Sequence, residues 1–93
     1  MRADLFDESW YLRSYPDVAA AVDAGVIDAR THFEIYGLNE GRAPGPLFNP
    51  QFYLAQNHDV AAAVEQGLIS AYEHFVHYGM AEGRRPKPGG VFR

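Results

Sequence analysis

The chain has 93 residues, 47% of them hydrophobic, which suits one folded domain and excludes both two full-size domains and a disordered tail. It has no cysteine, which excludes a disulfide scaffold and a thiolate zinc site. Its formal net charge of −4 argues against a nucleic-acid partner, because a phosphate backbone attracts basic surfaces.

An internal repeat organises almost the whole sequence. Residues 5–46 align with residues 47–88 without a gap, and 22 of the 42 pairs are identical. We call these ranges unit one and unit two; residues 89–93 form a tail. A period near 40 residues is typical of a supersecondary unit stacked on its copy. We therefore predict a single domain over residues 1–88, built from the two units.

The first helix of each unit is predicted to begin after an N-capping residue. Asp7 and Asn49 are these residues, and Pro50 suits the first helical position because its missing N–H costs nothing there. An aromatic residue before the cap and another at the fourth helical position have the spacing of a hydrophobic staple. The staple pairs are Phe6 with Tyr11 and Phe48 with Tyr53.

The second helix is predicted to begin near Pro16 in unit one and near His58 in unit two. Each carries a carboxylate in its first turn, Asp17 or Asp59, where it meets the positive end of the helix dipole. We favour this role over calcium binding, because no Asp-x-Asp-x-Asp-Gly loop surrounds either aspartate.

A glycine follows each alanine-rich second helix. Gly25 and Gly67 are predicted to end the helix with a positive φ angle. Val26 and Leu68 follow them, and we expect each to be the hydrophobic partner of its cap.

The third helix is predicted to begin at Asp28 or Ser70, and Ser70 with Glu73 forms a capping box. Aromatic residues three apart are expected to form one buried face that both units share. These residues are Phe33 and Tyr36 in unit one and Phe75 and Tyr78 in unit two. The sequence leaves two alternatives for the last residue of this helix: Gly37 and Gly79, or Gly41 and Gly83. No segment alternates with period two, so we predict an all-α fold of two stacked three-helix repeats forming one small helical domain.

The order of these motifs resembles a tandem repeat of bacterial proteins, marked by Phe-Asp/Asn, Tyr-Leu, Pro-Asp-Val, His-Phe/Tyr, Tyr-Gly and Glu-Gly-Arg. The matching residues of unit one are Phe6-Asp7, Tyr11-Leu12, Pro16-Asp17-Val18, His32-Phe33, Tyr36-Gly37 and Glu40-Gly41-Arg42. Unit two has His58 in place of the proline. Such repeats look like accessory modules of larger proteins, including glycosyltransferase-type and secreted calcium-binding-type chains. The resemblance implies no catalytic activity.

Histidine and arginine recur at equivalent positions. His32 and His74 suit either a metal or acid–base site or a structural hydrogen bond to backbone at a helix start; we favour the structural role, because it is needed in both units. His74 and His77 offer only two metal ligands, so we predict no metal site. Arg42 and Arg84 are expected to pair with carboxylates of the next unit's first or second helix.

Some side chains break the repeat or lie among the basic last ten residues, and these are the candidate partner contacts. They are Trp10, Tyr15, Tyr72, Arg85, Lys87 and Phe92. Tyr15 and Tyr72 are the favoured exposed contacts, because Asn57 and Arg30 replace them in the other unit. The last ten residues contain four basic residues and no acid, so the rest of the chain carries −8. This stretch suits either docking on an acidic surface of a partner or second copy, or a solvated tail rich in proline and glycine.

The sequence contains no nucleophile–base set and no glycine-rich phosphate loop, so we predict no enzyme and no cofactor. The leading hypothesis is a protein–protein interaction or assembly module, an accessory subunit of a larger bacterial complex. Its partner is another protein or a second copy, since both ends of a two-unit stack are expected to be apolar. The alternative is a carbohydrate- or surface-polymer-binding module, favoured by thirteen aromatic residues, counted as Trp, Tyr and Phe.

The longest apolar run, Val18–Val22, is far shorter than the ~20 residues that span a bilayer, so no membrane span is expected. Residues 1–4 lack the apolar stretch of a secretory signal. We therefore expect a cytoplasmic location, with unconventional secretion left open.

Overall fold

Helices account for all the regular secondary structure that the structure, a computed structural model, describes within residues 5–89. Unit one contains α1 (Glu8–Ser14), α2 (Pro16–Asp23), α3 (Ala29–His32), the π-helical segment π1 (Phe33–Gly37) and α4 (Leu38–Glu40). Unit two contains α5 (Pro50–Gln56), α6 (His58–Glu65), α7 (Ala71–His74) and π2 (Phe75–Gly79). The predicted all-α class is confirmed, and corresponding elements of the two units lie 42 residues apart.

The predicted helix starts are confirmed by their capping bonds. Asp7 Oδ1 accepts a hydrogen bond from Trp10 N–H at 3.1 Å, and Asn49 Oδ1 accepts one from Phe52 N–H at 3.0 Å. Ser70 caps α7 in a complete capping box with Glu73. The staple pairs also form, because the ring centroids lie 5.3 Å apart for Phe6 with Tyr11 and 5.2 Å apart for Phe48 with Tyr53.

The second helix of each unit ends in the predicted left-handed turn. Gly25 has a φ angle of 75° and Gly67 one of 74°. Val26 N–H donates to Ala21 C=O at 3.0 Å, which closes the turn in the Schellman pattern. The expectation for the next residue is wrong: Val26 is 76% exposed and Leu68 is 72% exposed, so the turn is held by its backbone bonds and leaves the apolar side chain in solvent.

The third helical stretch runs through Gly37 and stops at Gly41. Gly37 keeps helical angles, whereas Gly41 and Gly83 both have a φ angle of 75°. In unit one the helix therefore continues to the later of the two ends that the sequence left open, whereas in unit two it ends at Gly79 and turns lead on to Gly83. Near Gly37, the Leu38 N–H donates a hydrogen bond to the Phe33 C=O, five residues earlier. This longer-range bond widens the helix into π1.

This π segment changes which side chains are buried. Phe33 and Phe75 are 2% and 0% exposed, as predicted, but Tyr36 and Tyr78 are 50% and 54% exposed, so the prediction of burial is wrong for both tyrosines. A π turn contains more residues than an α turn, so the residue at i+4, and not the one at i+3, lies on the same face as residue i. That residue is Gly37 or Gly79, and both glycines are buried.

Each unit has its own buried cluster, and a few residues connect the two. The buried members are Tyr11, Val18, Ala29 and Phe33 in unit one, and Phe48, Tyr53, Val60, Ala71 and Phe75 in unit two. Tyr72 packs against both clusters, and Leu5 of unit one packs against the cluster of unit two. Leu5 and Phe6 are thus partly buried inside the stack and do not form the exposed apolar end that we expected.

We predict that Gly25→Ala destabilises the fold by about 1 kcal/mol, because an L-residue is strained at this positive φ. An added Cβ would meet nothing within 4 Å, so the backbone angle alone causes the loss. Chemical denaturation measures it. The control is Gln66→Ala, at an exposed residue with a φ of −84°, which should change the free energy of unfolding by less than ~0.5 kcal/mol. A neutral Gly25→Ala variant would contradict the prediction.

We predict that Gly79→Ala costs ~1–3 kcal/mol, because its Cβ would collide with the Tyr53 hydroxyl in a packed core. After that hydroxyl, the next nearest atoms to the added Cβ are Tyr53 Cζ at 3.1 Å and Phe75 Cδ1 at 3.3 Å, which is much less crowded. The double variant Tyr53→Phe/Gly79→Ala should therefore lose less stability than the two single changes added together. A double-mutant cycle by denaturation measures this coupling, and strictly additive losses would show that the hydroxyl is not the obstacle.

Candidate protein-binding surface

The repeated histidines lie beside buried tyrosines. Tyr11 Oη and His32 Nδ1 share a hydrogen bond of 3.0 Å, and Tyr53 Oη and His74 Nδ1 share one of 2.8 Å. Their partner is thus a tyrosine hydroxyl and not the backbone that we expected. Burial raises the pKa of Tyr11 and of Tyr53 to about 12, so both hydroxyls keep their protons at neutral pH. Burial and the nearby positive charge of Arg84 lower the pKa of His74. This geometry supports a structural role for the pairs.

The repeated arginines bind carboxylates of their own unit. Arg42 donates through Nη1 and Nη2 to the two carboxylate oxygens of Asp17 at 3.0 and 2.7 Å, and through Nε to Glu40 at 2.7 Å. Arg84 contacts Asp59 and Glu82 in the same way. The expected pairing with the next unit is wrong. Arg42 directly follows the left-handed turn at the end of the third helical stretch, which brings it to the start of α2 in the same unit.

The favoured exposed contacts are largely internal. Tyr15 is partly buried beneath Arg42, whose guanidinium carbon lies 4.7 Å from the ring centroid, and its hydroxyl accepts a hydrogen bond from Ala43 N–H at 2.9 Å. Tyr72 is partly buried between the two units. Both residues are therefore wrong as free partner contacts, because each is used in packing the chain against itself.

The structure describes three of the four remaining candidates. Trp10 is partly buried, with its ring 6.3 Å from that of Tyr15. Arg85 is exposed and Lys87 is partly buried. Phe92 lies outside the described residues, so its predicted role remains a prediction.

The structure instead exposes apolar side chains that the sequence analysis did not select as contacts. These exposed apolar residues are Val26, Ile35, Tyr36, Leu47, Leu68 and Tyr78. Four of them form equivalent pairs, Val26 with Leu68 and Tyr36 with Tyr78. One feature of the sequence could have indicated that Tyr36 and Tyr78 are exposed, namely the glycine that follows each of them. A glycine at that position lets the helix widen, and the widening turns the tyrosine outward.

The cavities of the described part of the chain differ in size. One of about 60 Å³ lies between the units, lined in part by Leu38, Leu54 and Tyr72. A larger and more open one, of about 400 Å³, is lined by Leu5, Phe6, Asp7, Glu8, Pro46 and Leu47. Within residues 5–89, no three histidine or carboxylate side chains lie close enough together to hold a metal ion. None of the helices described there has the length and apolar character to cross a membrane.

Comparison with protein-family models, with curated proteins and with solved structures gave no match.

We predict that the Arg42–Asp17 contact makes stability depend on acid pH. The hydrogen bonds from Arg42 lower the pKa of Asp17 from 3.8 to about 2. A lowered pKa means that the contact stabilises the fold above about pH 4 and is lost as the pH falls through about 2. Asp17→Asn should therefore flatten the fall in the free energy of unfolding across this window.

The matched control is Asp23→Asn, which removes the same charge from the exposed last residue of α2. Denaturation in urea at a series of pH values between 2 and 6 gives the comparison. Equal pH profiles for the Asp17 and Asp23 variants would contradict a special contribution of the Arg42 contact.

Proposed function

We propose that this chain is a non-enzymatic protein-binding module, an accessory subunit of a larger assembly. The observation that supports the proposal most directly is the outward placement of equivalent apolar side chains in both units, with Val26 and Leu68 more than 70% exposed. Transfer of an apolar side chain out of water lowers the free energy, so each of these exposed side chains would stabilise a complex that covers it.

The contrast between buried and exposed tyrosines also supports a binding surface. The chain buries other aromatic residues completely, since Tyr11 and Tyr53 are both 0% exposed, yet it turns Tyr36 and Tyr78 outward. A tyrosine offers a large apolar ring and a hydroxyl at low entropic cost, which is why it is frequent at protein interfaces. Two equivalent sets of contacts suit a partner that covers both units.

One observation favours carbohydrate binding as a second candidate. Each half-exposed tyrosine lies beside a histidine, with ring centroids 5.4 Å apart both for His32 with Tyr36 and for His74 with Tyr78. An open aromatic face next to a polar ring suits the apolar face and the hydroxyl groups of a sugar. This proposal differs from the first in requiring the tyrosines and not Val26 and Leu68.

We predict that Val26→Ser/Leu68→Ser reduces recovery of the native protein partner at least about tenfold in an affinity pull-down from the source cell, as expected for loss of more than ~1.4 kcal/mol of binding free energy. The side chains are too exposed to support the fold, so the melting temperature should stay unchanged. Quantitative mass spectrometry of the captured protein measures the effect.

The matched control is Gln56→Ser/Gln66→Ser, at two exposed polar residues. Equal recovery with both double variants would contradict binding through Val26 and Leu68. Titration of the full chain with glycans tests the second candidate: saturable binding that Tyr36→Ala/Tyr78→Ala abolishes, without any protein partner captured, would replace the first proposal.

A further inference from the structure

One position in the contact between the units carries different residues in unit one and unit two. Tyr72 of unit two lies between the units, with its ring centroid 5.5 Å from those of Phe33 and Phe48. Its hydroxyl accepts a hydrogen bond from Leu5 N–H at 2.8 Å. A single side chain therefore contacts aromatic rings of both units and the backbone of the neighbouring unit.

Arg30 occupies the equivalent position in unit one. Its guanidinium carbon lies 4.9 Å from the ring centroid of Phe6, which is the counterpart of Phe48. Its Nη1 lies 3.8 Å from Glu34 Oε2, and the arginine side chain remains 45% exposed. Where Tyr72 uses its ring to contact a neighbouring unit, Arg30 covers the aromatic ring of its own unit with a hydrated charge.

A second pair of equivalent residues shows the same difference. Gln51 Nε2 donates a hydrogen bond to Gly41 C=O at 3.0 Å, at the end of the third helical stretch of unit one. Ser9 occupies the equivalent position in unit one, and its side chain is too short to make a similar reach. Unit two thus carries two side chains that hold a preceding unit, and unit one carries neither.

We propose that the position shared by Arg30 and Tyr72 decides whether a unit docks onto the C-terminal end of another unit, and that Arg30 closes unit one to a second copy of this chain. Docking on unit one would bury the guanidinium together with its Glu34 partner. Taking a charged pair out of water is costly unless new hydrogen bonds replace the lost hydration. Tyrosine at the same position carries no such cost and adds ring contacts.

Among the described residues, unit two keeps counterparts of the groups of unit one that Tyr72 and Gln51 contact. Leu47 is the counterpart of Leu5, which lies under Tyr72, and it remains 44% exposed. Gly83 is the counterpart of Gly41 and is also exposed. Phe75, the counterpart of Phe33, is already fully buried, so Leu47 and the Gly83 backbone are the contacts on offer.

This inference rests on the proposed protein-binding function in one respect: it leaves Val26 and Leu68, and not the outer face of unit one, as the contacts of the partner. The closure at Arg30 is itself a property of the purified chain. The pull-down tests the Val26 and Leu68 contacts, and sedimentation of the purified chain tests Arg30. A negative result in one experiment therefore does not affect the other.

The test is sedimentation equilibrium of the purified full chain over a range of concentrations. The wild type and Arg30→Gln should both remain at the monomer mass of 10.4 kDa. Ser9→Gln/Arg30→Tyr should associate head to tail, with an average mass about twofold higher or more, because a heterologous contact of this kind extends without closing. Adding Leu47→Glu to this variant should restore the monomer.

The reverse change tests the same position within one chain. Tyr72→Arg should keep its helical circular dichroism but increase the radius of gyration above the 13.4 Å of the Cα atoms, whereas Tyr72→Phe should keep the compact value. If Tyr72→Arg loses its helices altogether, the sedimentation result decides. A monomeric Ser9→Gln/Arg30→Tyr variant, equal association of Arg30→Gln, or a wild type that associates and is dissociated by Leu47→Glu would each overturn the proposal.

Discussion

A fully buried tyrosine in each unit is the constraint on which the rest of the unit depends. Tyr53 is 0% exposed, and its hydroxyl bonds to His74 and fills the space that a Cβ at residue 79 would need. Glycine is therefore required at that residue, where the helix widens into a π turn. The widening turns Phe75 inward and Tyr78 outward, so the same hydroxyl that completes the core also determines which aromatic ring reaches solvent.

The arginine contacts follow from the path that this widened helix takes. The third helical stretch continues to Gly41 before it reverses, and Arg42 then meets Asp17 at the start of α2. The end of the unit is thereby joined to the start of its second helix by a bidentate ion pair, a geometry that suits arginine and not lysine. Because each unit closes on itself in this way, the contact between units depends on few residues, with Tyr72 at its centre.

The small size of the two buried clusters explains why some apolar side chains remain exposed. Small clusters of four and five buried residues leave little room for further apolar groups, and the equivalent side chains of both units are left outside. The surface pattern of Val26 with Leu68 and of Tyr36 with Tyr78 therefore repeats with the fold. Arg30 and Tyr72 break this equivalence, because Arg30 covers the Phe6 ring of its own unit whereas Tyr72 contacts Phe33 of the other unit.

Local chemistry was sufficient to predict the helical class, the caps at Asp7, Asn49 and Ser70, and the left-handed glycines, because these depend on residues a few positions apart. Tertiary contacts determined the rest. The i, i+3 rule failed for Tyr36, since a hydroxyl from α1 makes a wider turn favourable, and no pattern within the third helix contains that information. The partners of Arg42 and the burial of Tyr72 likewise depend on how distant segments meet, and local spacing does not encode that geometry.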